Sequence, residues 1–139
     1  MKECRAPVVL AQAYRLINPG PAPLVSASPG GVTDVMAASW VCGLDYGPAR
    51  LTLVLDKNSK TRELVEQSGL FVVQVPTLAQ ARLTYEVGNH SLHGEPDKLR
   101  NAGVELFAME GFDLPFVAGC SAWMVCRLIP EPHNQQAYD

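Results

Sequence analysis

Between positions 56 and 61 the chain reads Asp56-Lys57-Asn58-Ser59-Lys60-Thr61, with Arg62 following. Hydroxyls at Ser59 and Thr61, with positive charge at Lys57, Lys60 and Arg62, are the groups a phosphate takes as donors. The stretch leads into a helical pattern. A helix N-terminus adds N–H groups with no intrahelical partner and the positive end of the dipole. Together these features make a candidate phosphate cradle. The same residues also fit an ordinary cap, with Asn58 or Ser59 closing the helix and the charges in solvent.

A second stretch, Met36-Ala37-Ala38-Ser39-Trp40, is rich in small side chains beside polar donors. Such a run lets a flat ring approach the backbone, whose polar groups and Ser39 can bond its heteroatoms. On residue types alone a tightly packed core strand is the preferred reading, because small and apolar residues are mostly core. Glu86, His90 and His93 have spacings that invite a metal reading. Gly88 and Asn89 are expected to interrupt any helix between them, which favours a surface turn. His133, between Pro132 and Asn134, falls in an expected loop and allows either a solvated or a ligand-touching role. The cysteines at 4, 42, 120 and 126 match no metal or redox spacing, so reduced thiols are expected, with Cys120 and Cys126 in buried strand. No nucleophile elbow, Walker loop or dinucleotide glycine fingerprint is present.

The elements that must hold these residues are mostly strands. Ala11 to Ile17 fits a short helix or a strand start. Leu24 to Ser28 and Val35 to Gly43 read as paired strands around the turn Pro29-Gly30-Gly31. Arg50 to Leu55 alternates cleanly, with Leu51, Leu53 and Leu55 on one face. Arg62 to Ser68 is helical and stops at Gly69. Leu70 to Val75 is a strand ended by Pro76. Thr77 and Gln80 have the spacing of a capping box, opening a helix to about Val87. A short helix runs from Glu95-Pro96-Asp97 through Ala102. Val104 to Met109 and a long stretch from Val117 to Ile129 complete the strands. Helices do not alternate regularly with strands, which argues against a doubly wound parallel sheet. A mainly β, antiparallel barrel with short helices is the expected fold class.

With 139 residues the chain is expected to form a single domain over 1–139. Its formal net charge is −3 and no basic block occurs, so no nucleic-acid partner is expected. No apolar run approaches the roughly 20 residues of a membrane span, and no signal peptide is recognisable. A cytoplasmic location is the corresponding expectation.

Read in order, several pieces resemble the flavin reductase-like, FMN-binding split-barrel family, which includes flavoredoxin. They are Ala13 to Pro21, Leu24-Val25-Ser26, Asp34 to Trp40, Asp56 to Leu64, Ser68 to Pro76, Gly119 to Trp123, and Leu128 to Glu131. The set covers nearly the whole chain. The resemblance implies an antiparallel Greek-key split barrel that works as a homodimer. It implies that Ser59, Lys60 and Thr61, with Lys57 and Asn58 beside them, hold the FMN phosphate. It implies that Met36 to Trp40 lies along the isoalloxazine, with Ala37, Ala38 and Ser39 offering backbone or hydroxyl bonds. Asp34 stands where relatives usually carry Asn, and an ionised carboxylate cannot donate a hydrogen bond. Relatives also continue beyond the equivalent of Tyr138-Asp139 into at least one further strand, so the expectation is a chain that is naturally short, truncated or incomplete.

The function this implies is an NAD(P)H:flavin oxidoreductase, with FMN as cofactor and NADH or NADPH as electron donor. Hydride chemistry resides in such cofactors, so an acid–base pair in the protein is not required. The alternatives are a flavoredoxin-type electron carrier and a flavin-free barrel serving a structural or interaction role.

Overall fold

Two strands at the middle of the fold bury residues on both of their faces, and that is why they read as continuous apolar runs. The structure, a computed structural model, describes residues 20–132. Strands β1 (Leu24–Ala27) and β5 (Leu70–Val75) lie between β2 (Asp34–Ala37) and β8 (Ala122–Arg127) in a sheet ordered β2-β1-β5-β8. All its pairings are antiparallel. The remaining strands form two antiparallel hairpins, β3 (Val41–Tyr46) with β4 (Ala49–Leu53), and β6 (Leu106–Met109) with β7 (Phe112–Val117). The mainly β, antiparallel fold class therefore stands. Among the described residues the strands form three separate sheets, and no ladder joins them into a closed barrel.

Helix α1 (Lys60–Ser68) covers one face of the main sheet. Its Leu64 and Val65 pack with Val25, Ala27, Phe71 and Val73. Gly69 ends it in the left-handed region, at φ 68°, where the lack of a Cβ removes the steric cost. Helix α2 (Ala81–Asn89) covers the other face, where Val87 packs with Leu24, Val35 and Val117. The expected Thr77–Gln80 capping box is present and opens a short 3-10 turn before α2. A brief helix α3 (Lys98–Asn101) follows. None of these helices is long and apolar enough to cross a membrane.

Two expected strands divide. Val35 to Gly43 is not one strand: β2 ends at Ala37 and β3 begins at Val41. The Ala38 N–H still bonds the Pro23 carbonyl at 2.9 Å, and the chain then turns into the hairpin. Val117 to Ile129 also divides. Val117 closes β7, residues 118–121 turn, and β8 starts at Ala122. Strand β7 itself was hidden by Pro115, since a proline demotes a segment as strand. The expected helix to Val87 continues through Gly88 to Asn89. Gly88 approaches β2 closely there: a Cβ on it would stand 3.1 Å from that of Ala37, a tight contact. The reading of Ala11 to Ile17 and that of His133 lie outside the described residues.

Candidate flavin site

Among the described residues strand β2 is the edge of its sheet, so its outer side pairs with no described strand. Amide directions alternate along an antiparallel strand. The Ala38 N–H points inward to Pro23, so the Ala37 N–H points to the open edge. Side chains alternate as well. Met36 and Ala38 pack toward α1, whereas Val35 and Ala37 pack toward α2. Ala38 is thus a core residue whose amide is already used. Ser39 and Trp40 emerge to the surface, and Trp40 is 49% exposed.

A groove of ≈ 660 Å³ opens between this strand and α2. Ala22, Ala37, Ser39, Ala81 and Gly88 line it with small side chains, and Tyr85 stands on its α2 wall. That volume lies within the range of small-molecule sites. Thr84, also on this wall, has a buried hydroxyl with no hydrogen-bond partner among the described residues. Small walls and an open backbone edge fit a flat heteroaromatic ring. Met36 and Ala38 do not line the groove, and neither does the Ser59–Thr61 turn.

The phosphate candidate forms the α1 N-terminus. Ser59 is the N-cap, and its hydroxyl accepts from the Arg62 N–H at 3.3 Å. The same hydroxyl donates to the Asp56 carbonyl at 2.9 Å. The Asn58 N–H bonds the Asp56 carboxylate at 2.7 Å, which tightens the turn. Lys60 pairs with Glu63 at 2.6 Å, and that bond holds the Glu63 carboxyl below its ordinary pKa. Arg62 pairs with Glu66 at 2.9 Å. The first intrahelical bond runs from the Glu63 N–H to the Ser59 carbonyl, so the Lys60 and Thr61 N–H groups precede it. These two amides are the donors the turn presents. The Ser59 hydroxyl serves the cap, as the plainer of the two sequence readings has it.

Thr61 departs from the expected role. It is buried at 1% exposure, and its hydroxyl donates inward to Asp34 Oδ2 at 2.7 Å. It therefore reaches no surface ligand through its side chain. Asp34 is also buried, and its other oxygen accepts from Lys98 Nζ at 3.0 Å and from the Val35 N–H at 2.9 Å. The carboxylate that no donor role suited is an acceptor for three donors. Lys98 carried no sequence signal, because a lysine in a short helix after Glu95-Pro96-Asp97 has no local mark of a buried partner 64 residues away.

Asp34 and Thr61 thus join the start of β2 to the α1 N-terminus. A second tie runs from the Val54 N–H to the Trp40 carbonyl at 3.0 Å, just before that turn begins. The two candidate segments are neighbours linked at both ends.

His90 and His93 do not line the groove. Glu86 and Glu95 flank His90, with Glu86 at 3.2 Å. Gly88 and Asn89 lie inside helix α2, which stops there: His90 is its extended C-cap and still reaches Glu86 four residues back, and a turn carrying His93 follows. His93 lies 3.9 Å from Glu63 of α1. The hydrogen bond to Glu95, then its charge, then Glu86, raise the His90 pKa above its ordinary value of 6.5. A raised folded pKa contributes stability that is fully present below the unfolded value and is lost as pH rises through the folded one. An NMR titration should place the His90 midpoint above 6.5, and Glu95→Gln should move it down. An unchanged midpoint in that variant would show the carboxylate contact to be ineffective.

The flavin reductase like domain family matches residues 15–137. The chain belongs to that family. An Escherichia coli (strain K12) member, the uncharacterized protein YddH, is 37% identical over 136 residues, covering 96% of this chain and 71% of that protein. A solved FMN-binding domain of a flavin reductases-like enzyme from Shewanella baltica OS155 is 62% identical, with a TM-score of 0.83. The match covers 96% of this chain and 70% of that one. Flavoredoxin of Desulfovibrio vulgaris (Miyazaki F) superposes with a TM-score of 0.73 at 25% identity, over 94% of this chain and 68% of its own. The family's members are therefore longer in each of these cases.

Proposed function

We propose that this chain binds FMN and serves as an NAD(P)H-dependent flavin reductase. The observation that carries the reading is the Asp34 junction, which sets the α1 N-terminus beside the edge strand β2. Family membership and the FMN-binding Shewanella baltica domain support it. The Lys60 and Thr61 amides take the phosphate, with Ser59 and Asn58 shaping the turn and Lys57 and Lys60 adding positive charge. The ring lies along Met36 to Trp40, where Ala37 offers its edge amide and Ser39 its hydroxyl. Bound flavin supplies the two-electron chemistry, accepting hydride from NADH or NADPH. The protein's part is to bind, orient and exclude water. A second copy of the chain completes the site, covering the exposed Trp40, Leu44 and Val54 around the β3–β4 hairpin.

Titrations with FMN and riboflavin test the binding reading. FMN should bind about ten-fold or more tightly, since a hydrogen bond to a charged group is worth roughly 1.5–3 kcal/mol. Absence of FMN binding would overturn the reading and favour the flavin-free alternative. The purified protein with FMN should then consume NADH or NADPH. Bound FMN that neither nucleotide reduces, but a protein donor does, would make the chain an electron carrier instead. Light scattering should give the mass of a dimer.

A further inference from the structure

We infer that Asp34 is a positioning residue for flavin phosphate recognition, acting through Thr61 and touching no flavin itself, with Lys98 as its buried counter-ion. The inference rests on the proposed FMN reading. Three elements meet at this point: the start of β2, the first turn of α1, and α3. Asp34, Thr61 and Lys98 are all buried, with exposures of 1%, 1% and 3%. Desolvating two charges costs more than such a pair commonly returns in stability, and an apolar set of similar volume often serves as well. Stability alone therefore gives a weak reason for this arrangement, whereas geometry gives a specific one.

The Thr61 hydroxyl is held inward by Asp34 Oδ2 at 2.7 Å, which fixes the rotation of the first helical turn. The Lys60 and Thr61 amides are thereby aimed at one place relative to β2, whose first residue is the anchor itself. Asp34 Oδ1 also accepts the Val35 N–H on the open edge of the strand, so one carboxylate ties the turn and the edge together. Lys98, at 3.0 Å, supplies the charge that makes a buried carboxylate tolerable beside a site meant for an anion. The distance from the ring-side strand to the phosphate turn is consequently set by Asp34. Riboflavin needs only the ring side, whereas FMN needs both.

The test compares two double variants with the wild-type chain, using FMN and riboflavin titrations and a thermal melt. Asp34→Leu with Lys98→Met removes both charges and the acceptor for Thr61. Its FMN affinity should fall about ten-fold, with riboflavin affinity kept within about three-fold. Asp34→Asn with Lys98→Met removes the charges but leaves an amide oxygen for Thr61. It should keep its preference for FMN within about three-fold of the wild type. Equal loss of both flavins in the first variant would reduce the pair to a structural role, and unchanged FMN binding there would remove the role altogether. A second variant as defective for FMN as the first would also overturn the path through Thr61. A wild-type chain that binds both flavins equally is a different outcome. It would overturn phosphate recognition itself, and this inference with it.

Discussion

Lys98→Met, with Asp34 left in place, is expected to destabilise the fold by about 3–5 kcal/mol, the usual cost of stripping a buried charge of its partner. The carboxylate would keep the Thr61 hydroxyl and the Val35 amide as donors but lose its counter-ion in a site that water does not reach. Adding Asp34→Leu to the same chain should return most of that loss, because no charge then remains buried. Chemical denaturation of the two variants and the wild type makes the comparison. A single variant as stable as the double would show that Lys98 and Asp34 are not energetically coupled. Exposed pairs such as Arg100 with Asp97 should respond far less to the same treatment, since surface pairs contribute about 0–1 kcal/mol.

Gln74→Leu should cost about 2–4 kcal/mol, although it adds apolar surface to an apolar strand. Gln74 is fully buried in β5. Its side-chain oxygen accepts from the Val117 N–H, and its amide donates to Ser26 at 2.8 Å. The Ser26 hydroxyl in turn donates to the Pro115 carbonyl at 2.6 Å. Strand β7 shares no ladder with the main sheet, so this relay supplies the hydrogen bonds that its backbone needs there. Leucine would orphan a buried amide, and an unsatisfied buried donor costs roughly 1–3 kcal/mol by itself. The expected readout is a lower denaturation midpoint with faster amide exchange at Val117. Retained protection at that amide would mean that the relay is dispensable.

Gln74 shows what kind of signal the sequence did contain. A lone polar residue within Phe71-Val72-Val73-Gln74-Val75 marks a buried group that must have a partner. The signal says nothing about where the partner lies, and here it is 43 residues away. Strand β5, helix α1 with its Gly69 stop, and the Thr77 capping box were legible because each depends on neighbours within a few positions. The division of Val35 to Gly43 was not legible. An apolar run carries no mark of where one sheet ends and a hairpin begins.

The same division runs through the candidate site. Residue types alone gave a helix cap or phosphate cradle at Asp56 to Thr61 and a small-residue stretch at Met36 to Trp40, since capping and close backbone approach are local requirements, and only the family resemblance chose the flavin reading. Tertiary structure decided which groups those segments can offer. It turned the Thr61 hydroxyl inward, used the Ala38 amide at Pro23, and left the Ala37 amide on an open edge. It also brought Lys98 across 64 residues to Asp34. A side chain's partners are set by which elements pack together, and that packing minimises buried unsatisfied charge over the whole chain rather than within any window of it.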